Sequence, residues 1–95
     1  MALSEAKYQA KIIKALEAKG YYVLKLIQTN KNGIADILAL KHCEVWFIEV
    51  KGEKGKIAPL QRYRADEVKS LKFKHDFTFS GDDFLDKLKD QNDVK

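Results

Sequence analysis

The sequence has one cysteine and one proline, and it has no long apolar segment. Cys43 is the only cysteine among 95 residues, so no internal disulfide and no multi-cysteine metal site can form. No apolar run approaches the roughly 20 residues of a membrane helix, and the first residues lack a charged leader followed by an apolar stretch. We therefore expect a cytoplasmic protein that is neither exported nor inserted into a membrane.

Length and composition indicate one globular domain. Ninety-five residues suit a single core, and hydrophobic residues make up 45 % of the chain. Residues 90–95 contain no apolar side chain except Val94, so this stretch has little to hold it against a core. We predict one domain over residues 1–89 and a frayed tail over residues 90–95.

Positive charge is concentrated in the first 81 residues. The chain has 18 basic and 14 acidic residues, and residues 82–95 contain three of the basic and five of the acidic ones. Residues 1–81 therefore hold 15 basic and 9 acidic residues, a net charge of +6. A basic surface attracts polyanions such as nucleic acid. A solubilising surface of ordinary charged side chains explains the same excess, so charge alone does not decide between the two.

Hydrophobic periodicity and turn residues predict seven elements. Ser4 can cap a first helix and Gly20 stands where helices commonly end, while Pro59 suits the first turn of a later helix. Two adjacent apolar runs joined by Lys41-His42-Cys43 suit an antiparallel pair. The predicted order is αβββαβα: a helix over 4–19, strands over 21–27, 34–40 and 44–51, a helix over 59–71, a strand over 75–80, and a short helix that follows Gly81-Asp82-Asp83.

The end of the third strand carries two charges that need an explanation. Its first part, Val45-Trp46-Phe47-Ile48, is apolar on both faces, as in an interior strand. Because side chains alternate along a strand, Glu49 and Lys51 point to the same face. The simplest alternative to a functional site is a buried ion pair, since acid-x-lysine triplets are common in a chain that is 34 % charged.

Asp36 lies within the apolar run Ile34-Ala35-Asp36-Ile37-Leu38, where an unpaired carboxylate is expensive to desolvate. Its partner is either a lysine or a metal ion. Magnesium is typically held by one or two carboxylates, which Asp36 and Glu49 supply, and the carbonyl of Val50 offers a third oxygen. Lys51 could orient a water or neutralise developing charge, which together describes a site for phosphodiester hydrolysis.

Glu5 falls on the apolar stripe of the first helix. At 100° per residue, Ile12 and Leu16 lie about 20° to either side of it. Glu5 is therefore a further candidate for the site, and the alternative is an acid that stabilises the positive end of the helix dipole. Three carboxylates and a lysine directed inward from separate elements are better explained by a shared ion than by separate coincidences.

Polar and basic residues around these positions are candidates for contact with phosphate. Gln61 lies in the first turn of the second helix, from which its amide can reach the end of the third strand, although the pattern alone favours a surface glutamine. The candidate nucleic-acid-binding residues flank the loop before Asp36 or follow Lys51, and each has simple solubilising charge as its alternative: Lys25, Lys31, Lys54, Lys56 and Arg62.

Three motifs occur in a fixed order: Gly33-Ile34-Ala35-Asp36, Phe47-Ile48-Glu49-Val50-Lys51-Gly52 and Gly55-Lys56-Ile57-Ala58-Pro59-Leu60-Gln61. Asp36 and Glu49 are 13 positions apart. This set resembles the VRR-NUC nucleases, a branch of the PD-(D/E)XK superfamily, and the resemblance extends from Ser4 to Leu88. Ala35 and Lys72 depart from the family pattern, which has proline and glycine at these places, and neither change removes a catalytic group.

The resemblance implies a restriction-endonuclease-like α/β core, with a mixed four-stranded sheet flanked by helices. It implies that Glu5, Asp36 and Glu49 surround Mg²⁺ or Mn²⁺, that Lys51 is the catalytic lysine, and that Gln61 supports them. Short stand-alone members resemble phage or bacterial homodimers that cleave four-way (Holliday) DNA junctions. The same resemblance implies DNA, branched or duplex, as the substrate and the cytoplasm of a bacterial cell or phage-infected host as the location.

Three functions remain open at this point. The first is a structure-selective DNA endonuclease that reads phosphates and DNA shape, because the chain has no large insertion able to read base edges. The second is a basic nucleic-acid-binding module that does not cut, and the third is a nuclease subunit that requires a partner. Intact Asp36, Glu49 and Lys51 favour the first.

Overall fold

Seven elements follow one another in the order expected from the sequence. The computed structural model describes residues 5–79 and 82–93. The order αβββαβα is confirmed: α1 Glu5–Ala18, β1 Tyr22–Lys25, β2 Ile37–Lys41, β3 Glu44–Val50, α2 Pro59–Ser70, β4 Lys74–Thr78 and α3 Asp82–Asp93. None of the helices in the described ranges has the length and apolar character needed to cross a bilayer.

The four strands form one mixed sheet in the order β1-β2-β3-β4. β1 pairs with β2, and β2 with β3, in antiparallel fashion, whereas β3 and β4 run parallel. A parallel neighbour requires a crossover, and α2 provides it. β3 is thus an interior strand with partners on both sides, as its apolar sequence predicts, and the expected mixed sheet flanked by helices is confirmed.

The hydrophobic core lies on one face of the sheet. Alternate residues of β3 point into it, including Trp46, Ile48 and Val50, and they meet α1 and α3. The rings of Trp46 and Phe84 pack edge to face, with centroids 5.2 Å apart. Glu49 therefore points to the opposite face. There α2 covers the sheet, since the guanidinium of Arg62 lies 5.7 Å from the ring centre of Phe77, the register partner of Glu49.

The strands differ from the predicted bounds where side chains or loops replace strand pairing. β1 was expected over 21–27 but ends at Lys25, and β2 was expected from position 34 but begins at Ile37. Asp36 therefore lies just before β2 rather than inside it. Its carboxylate takes the place of a backbone acceptor there, since it accepts the N–H of Val50. β4 covers Lys74–Thr78 instead of 75–80, and position 80 lies outside the described residues.

The helices also differ slightly from the predicted bounds. α1 ends at Ala18 rather than position 19, α2 ends at Ser70 rather than 71, and the proposed cap Ser4 lies outside the described residues. α3 continues to Asp93, so the helix takes in four of the six positions assigned to a frayed tail. Positions 94 and 95 lie outside the described residues.

Two helices end through the same hydrogen-bonding pattern with different residues. After α1, Tyr21 N–H donates to Leu16 O and Gly20 adopts a left-handed φ of 91°. After α2, Phe73 N–H donates to Val68 O and Lys72 adopts a φ of 72°. Both are Schellman ends, a motif that favours glycine at the left-handed position. Lys72 therefore adopts a left-handed conformation that is less favourable for lysine than for the glycine of the family pattern.

Candidate active site

Asp36 is held rigidly between two strands. Its N–H donates to Ile48 O at 3.2 Å, its carbonyl accepts the N–H of Leu26 at 2.7 Å, and its Oδ2 accepts the N–H of Val50 at 3.0 Å. These three bonds fix both the backbone and the side chain. The carboxylate is thereby placed at the end of β3, on the N–H of Val50, the residue between Glu49 and Lys51 in the sequence.

The loop before Asp36 is anchored to α2. Arg64 Nε donates to Asn32 O at 2.9 Å. Gly33 has a φ of 81°, and a Cβ atom added there would lie 2.8 Å from Leu60 Cγ, so the close approach of loop and helix needs glycine. The glycine of the first motif therefore brings the Asp36 segment against the start of α2.

Glu49 lies at the centre of the site, with two polar partners. Its Oε2 accepts a hydrogen bond from Gln61 Nε2 at 3.1 Å and lies 3.7 Å from Lys51 Nζ. The side chains of Glu49 and Lys51 are only 6 % and 13 % exposed, so this ion pair is shielded from solvent. Strand alternation predicted that these two residues share a face, and the structure brings Gln61 to them as well.

Gln61 is itself oriented by the start of α2. Its Oε1 accepts the N–H of Ala58 at 2.9 Å, which leaves the Nε2 end to face Glu49. The side chain therefore serves two purposes, since it satisfies a free N–H at the helix start and donates to a buried carboxylate. Lys51 is fixed through its backbone, because its N–H donates to Thr78 O at 2.8 Å and continues the pairing with β4.

Glu5 approaches the same region from α1. Its Oε2 accepts the N–H of Gly52 at 3.1 Å, directly after Lys51. Glu5 is exposed, whereas Tyr8, Ile12 and Leu16 of the same stripe are buried. The structure thus places Glu5 at the rim of the site and in contact with the loop that leaves β3.

Desolvation disfavours the ionised forms of Glu49 and Asp36, and neighbouring carboxylates add to this effect. Desolvation, followed by the charge of Asp36, raises the pKa of Glu49 to about 7, with Lys51 opposing the rise. Desolvation also raises the pKa of Asp36, against the hydrogen bond from Val50 that lowers it, and the charge of Glu5 adds to the rise. One lysine therefore does not fully compensate the negative charge gathered here, and an additional cation would stabilise the ionised forms.

The oxygen atoms of Asp36, Glu49 and the Val50 carbonyl are suited to bind a hard divalent cation, but they are too few to enclose it. Carboxylate and carbonyl oxygens are the ligands that Mg²⁺ and Mn²⁺ prefer. Because the N–H and C=O of a strand residue point to the same side, the Val50 carbonyl faces the side on which Asp36 lies. Within residues 5–79 and 82–93, however, no three His, Cys, Asp or Glu side chains form a ready ligand cluster. Asp36, Glu49 and the Val50 carbonyl fit an ion that keeps several waters better than one fully enclosed by protein.

The predicted nucleic-acid-binding residues are only partly gathered around these carboxylates. Lys25 lines a cavity together with Asp36, and its charge acts on that carboxylate. Arg62 stacks on Phe77 beside the register position of Glu49. Lys31, Lys54 and Lys56 are exposed and form no ion pair with the parts of the chain that the structure describes.

A cavity of about 400 Å³ opens beside Asp36, between the start of α1 and the segment that leaves β1. Gln9 and Ile27 line it, and neither was singled out from the sequence. Gln9 follows Glu5 by four positions, so helical spacing alone places the two on one face. No comparable pattern marks Ile27, because its position depends on the path of the loop.

Comparison with known proteins gives four partial sequence matches and one nearly complete structural match. No protein-family model matches the chain. The UPF0102 protein of Thermotoga petrophila is 40 % identical over 58 residues, 61 % of this chain and 54 % of that protein. The UPF0102 protein of Thermotoga neapolitana is 38 % identical over 56 residues, 59 % of this chain and 52 % of that protein. The chain thus spans about half the length of these curated relatives.

A solved structure described as a VRR_NUC domain superposes with a TM-score of 0.78 at 28 % identity. The match covers 90 % of this chain and 94 % of that one. The class defined by the fold is a mixed α/β domain with polar residues gathered at the end of its interior strand. Within that class the chain has the VRR-NUC fold, which confirms the resemblance inferred from the three motifs.

Proposed function

We propose that this protein is a divalent-metal-dependent endonuclease that hydrolyses phosphodiester bonds in DNA. The observation that carries the proposal is the convergence of Asp36, Glu49, Lys51 and Gln61, from three separate elements, on the end of β3. The VRR-NUC fold supports a nuclease-type activity. A purely structural ion pair would not need a second carboxylate that raises the pKa of the first.

Asp36, Glu49 and the Val50 carbonyl would hold Mg²⁺ or Mn²⁺, with Glu5 contributing from the rim. When bound, such an ion supplies positive charge that stabilises the charge developing on the phosphate oxygens. Lys51 Nζ, 3.7 Å from Glu49, donates to the attacking water or to a phosphate oxygen. Gln61 keeps the Glu49 carboxylate oriented, since its own amide is fixed by Ala58.

We further propose that the enzyme selects DNA by structure, such as a four-way junction or another branch, and acts as a homodimer. Each chain has one site, and two cuts call for two sites related by a two-fold axis. The sheet face that carries Glu49 also presents Tyr22 and Leu24, which are 66 % and 40 % exposed and pair in register with Leu40 and Leu38. A second copy packed on these residues would cover this apolar surface.

The cleavage experiment uses labelled four-way junction, flap, duplex and single-stranded DNA with Mg²⁺, Mn²⁺ or EDTA, together with the molecular mass in solution. We expect cleavage only with metal, fastest on branched DNA, and a dimer mass. Asp36→Asn should abolish cleavage, whereas the matched variant Asp66→Asn, at an exposed position of α2, should cut as the wild type does. Gel shifts without cleavage under every metal would instead support the binding module, and activity gained only with added host or phage proteins would support the partner-dependent subunit.

A further inference from the structure

The cavity beside Asp36 combines three kinds of surface. Ala6, Leu26 and Ile27 provide apolar walls, Gln9 provides an amide, and Lys25 provides positive charge. Its volume of about 400 Å³ lies within the range of small-molecule sites, about 300–1,000 Å³. It is also the cavity that has a proposed metal ligand, Asp36, in its wall.

Ile27 is the most unusual residue of this cavity. The residue is 87 % exposed, the highest value among the large hydrophobic residues exposed in the described ranges. Single exposed apolar side chains are ordinary on protein surfaces. Ile27 differs from Leu71, which is 67 % exposed, because Ile27 lines the cavity next to a candidate catalytic carboxylate and Leu71 is not part of that lining.

These surfaces match the parts of a nucleotide. A base has flat faces that pack on apolar side chains and an edge of donors and acceptors, which a glutamine amide can pair with through both its ends. The phosphate is an anion, and Lys25 is the basic residue of the lining. Apolar wall, amide and lysine therefore correspond to base face, base edge and phosphate.

A base inside a duplex cannot reach such a cavity, because its faces are stacked and its edge is paired. Enzymes that bind a base in a pocket take it from single-stranded DNA or out of the helix, and the energy required is least where the base is already unpaired. We infer that this cavity binds one unpaired nucleotide next to the phosphodiester bond that is cut, with its base against Ile27 and Leu26 and its edge on Gln9. The inference rests on the proposed nuclease function and specifies its substrate as DNA with an unpaired nucleotide at the cut.

The binding test uses DNA that carries 2-aminopurine, a base whose fluorescence rises when it leaves the stack, beside the expected cut. The test uses the Glu49→Gln variant, which should not cleave the DNA, and Glu49 is not part of the cavity lining. We expect fluorescence to rise on binding, and the rise to be lost when Ile27→Ala or Gln9→Ala is added. Adding Leu71→Ala instead, a matched truncation outside the cavity, should preserve it.

The first arm of the cleavage test uses the wild-type protein alone. Wild-type protein is given branched DNA in which the nucleotide beside the cut either carries its base or is abasic. We expect removal of the base to lower kcat/KM by about tenfold, mainly through KM, and Ile27→Ala to have a similar effect on intact DNA. Leu71→Ala should not.

The outcomes separate this inference from the proposed function. If no DNA is cut but 2-aminopurine responds in an Ile27-dependent way, the nuclease proposal fails and the cavity assignment stands. The opposite result is that DNA is cut at the same rate with and without the base, and that Ile27→Ala and Gln9→Ala change neither the cleavage rate nor the fluorescence. That result would overturn the cavity assignment and leave the nuclease proposal standing.

Discussion

The carboxylate of Asp36 accepts the backbone N–H of Val50 at 3.0 Å, so this side chain extends the pairing of β2 with β3 by one further bond. The same bond sets the direction of the carboxylate beside Glu49. Asp36 therefore has a structural contact and a proposed catalytic role at once. Substitutions that keep one and remove the other can separate them.

Asp36→Asn keeps an oxygen that can accept the Val50 N–H but removes the charge, whereas Asp36→Ala removes both. We expect the free energy of unfolding of Asp36→Asn to stay close to the wild-type value, since burial already raises the pKa of Asp36 and disfavours its charge. Asp36→Ala should lose about 1–3 kcal/mol, because the Val50 N–H loses its partner. Urea denaturation measures this difference, and equal stability of the two variants would show that the bond is unimportant.

Gln61 connects the start of α2 with Glu49 through the two ends of one amide. Gln61→Glu retains an acceptor for the Ala58 N–H but places a second carboxylate against Glu49. We expect cleavage to fall by about tenfold or more and the urea midpoint to fall as well, because the buried Glu49 carboxylate loses a donor and gains a like charge beside it. Gln61→Ala should reduce cleavage and also lower stability by about 1 kcal/mol through the lost N-terminal contact. Equal cleavage by wild type and Gln61→Glu would remove Gln61 from the proposed site.

The pH dependence of stability should reveal two opposing buried groups. Desolvation, with a smaller contribution from Lys69, lowers the pKa of His75 from 6.5 to about 4. Between these values the unfolded chain binds more protons, so this histidine makes stability rise with pH. Glu49, with its pKa raised from 4.5 to about 7, has the opposite effect: its folded form holds the proton longer, and stability falls as pH rises between those values.

In metal-free buffer we therefore expect Glu49→Gln to gain stability relative to wild type as pH rises from 4.5 to 6.5, and His75→Phe to lose it. Each divergence should be on the order of 2 kcal/mol across this range. Urea midpoints at several pH values in EDTA measure it. Parallel curves for wild type and His75→Phe would mean that His75 titrates normally in the folded protein.

Lys72 occupies a left-handed position, with a φ of 72°, where α1 uses Gly20 at 91° for the same type of helix end. Lys72→Gly should therefore stabilise the protein by about 1 kcal/mol, because glycine adopts this conformation without steric conflict. Gly20→Ala is the reciprocal control and should destabilise it by a similar amount. A Lys72→Gly variant that unfolds at a lower urea concentration than wild type would contradict this account of the helix end.

The sequence predicted the elements well and their junctions less well. Periodicity identified β3 as interior, and strand alternation placed Glu49 and Lys51 together, because both follow from local geometry. The start of β2 was misplaced by three positions, since the Asp36 carboxylate replaces a backbone partner there and such a replacement leaves no periodic signal. The start of β4 was misplaced by one position. α3 proved longer than expected, since it continues to Asp93.

For the site, sequence alone named the residues but not their contacts. Glu5 was expected among the metal ligands on the strength of its helical phase, and the structure places it on the Gly52 N–H at the rim. Its role in metal binding stays a prediction. Lys31, Lys54 and Lys56 stay predictions too, since contact with DNA depends on a partner surface. The cavity with Gln9 and Ile27 arises from the path of the loop after β1, which no local pattern encodes.

The most direct test of the central claim is the cleavage rate of labelled branched DNA in Mg²⁺ and in EDTA, for wild type, Lys51→Met and Lys14→Met. Lys51 lies 3.7 Å from Glu49, whereas Lys14 is an exposed lysine of α1. We expect metal-dependent cleavage that Lys51→Met lowers by about 100-fold or more and Lys14→Met leaves unchanged. Undiminished cleavage in EDTA, or equal rates for the two lysine variants, would contradict it.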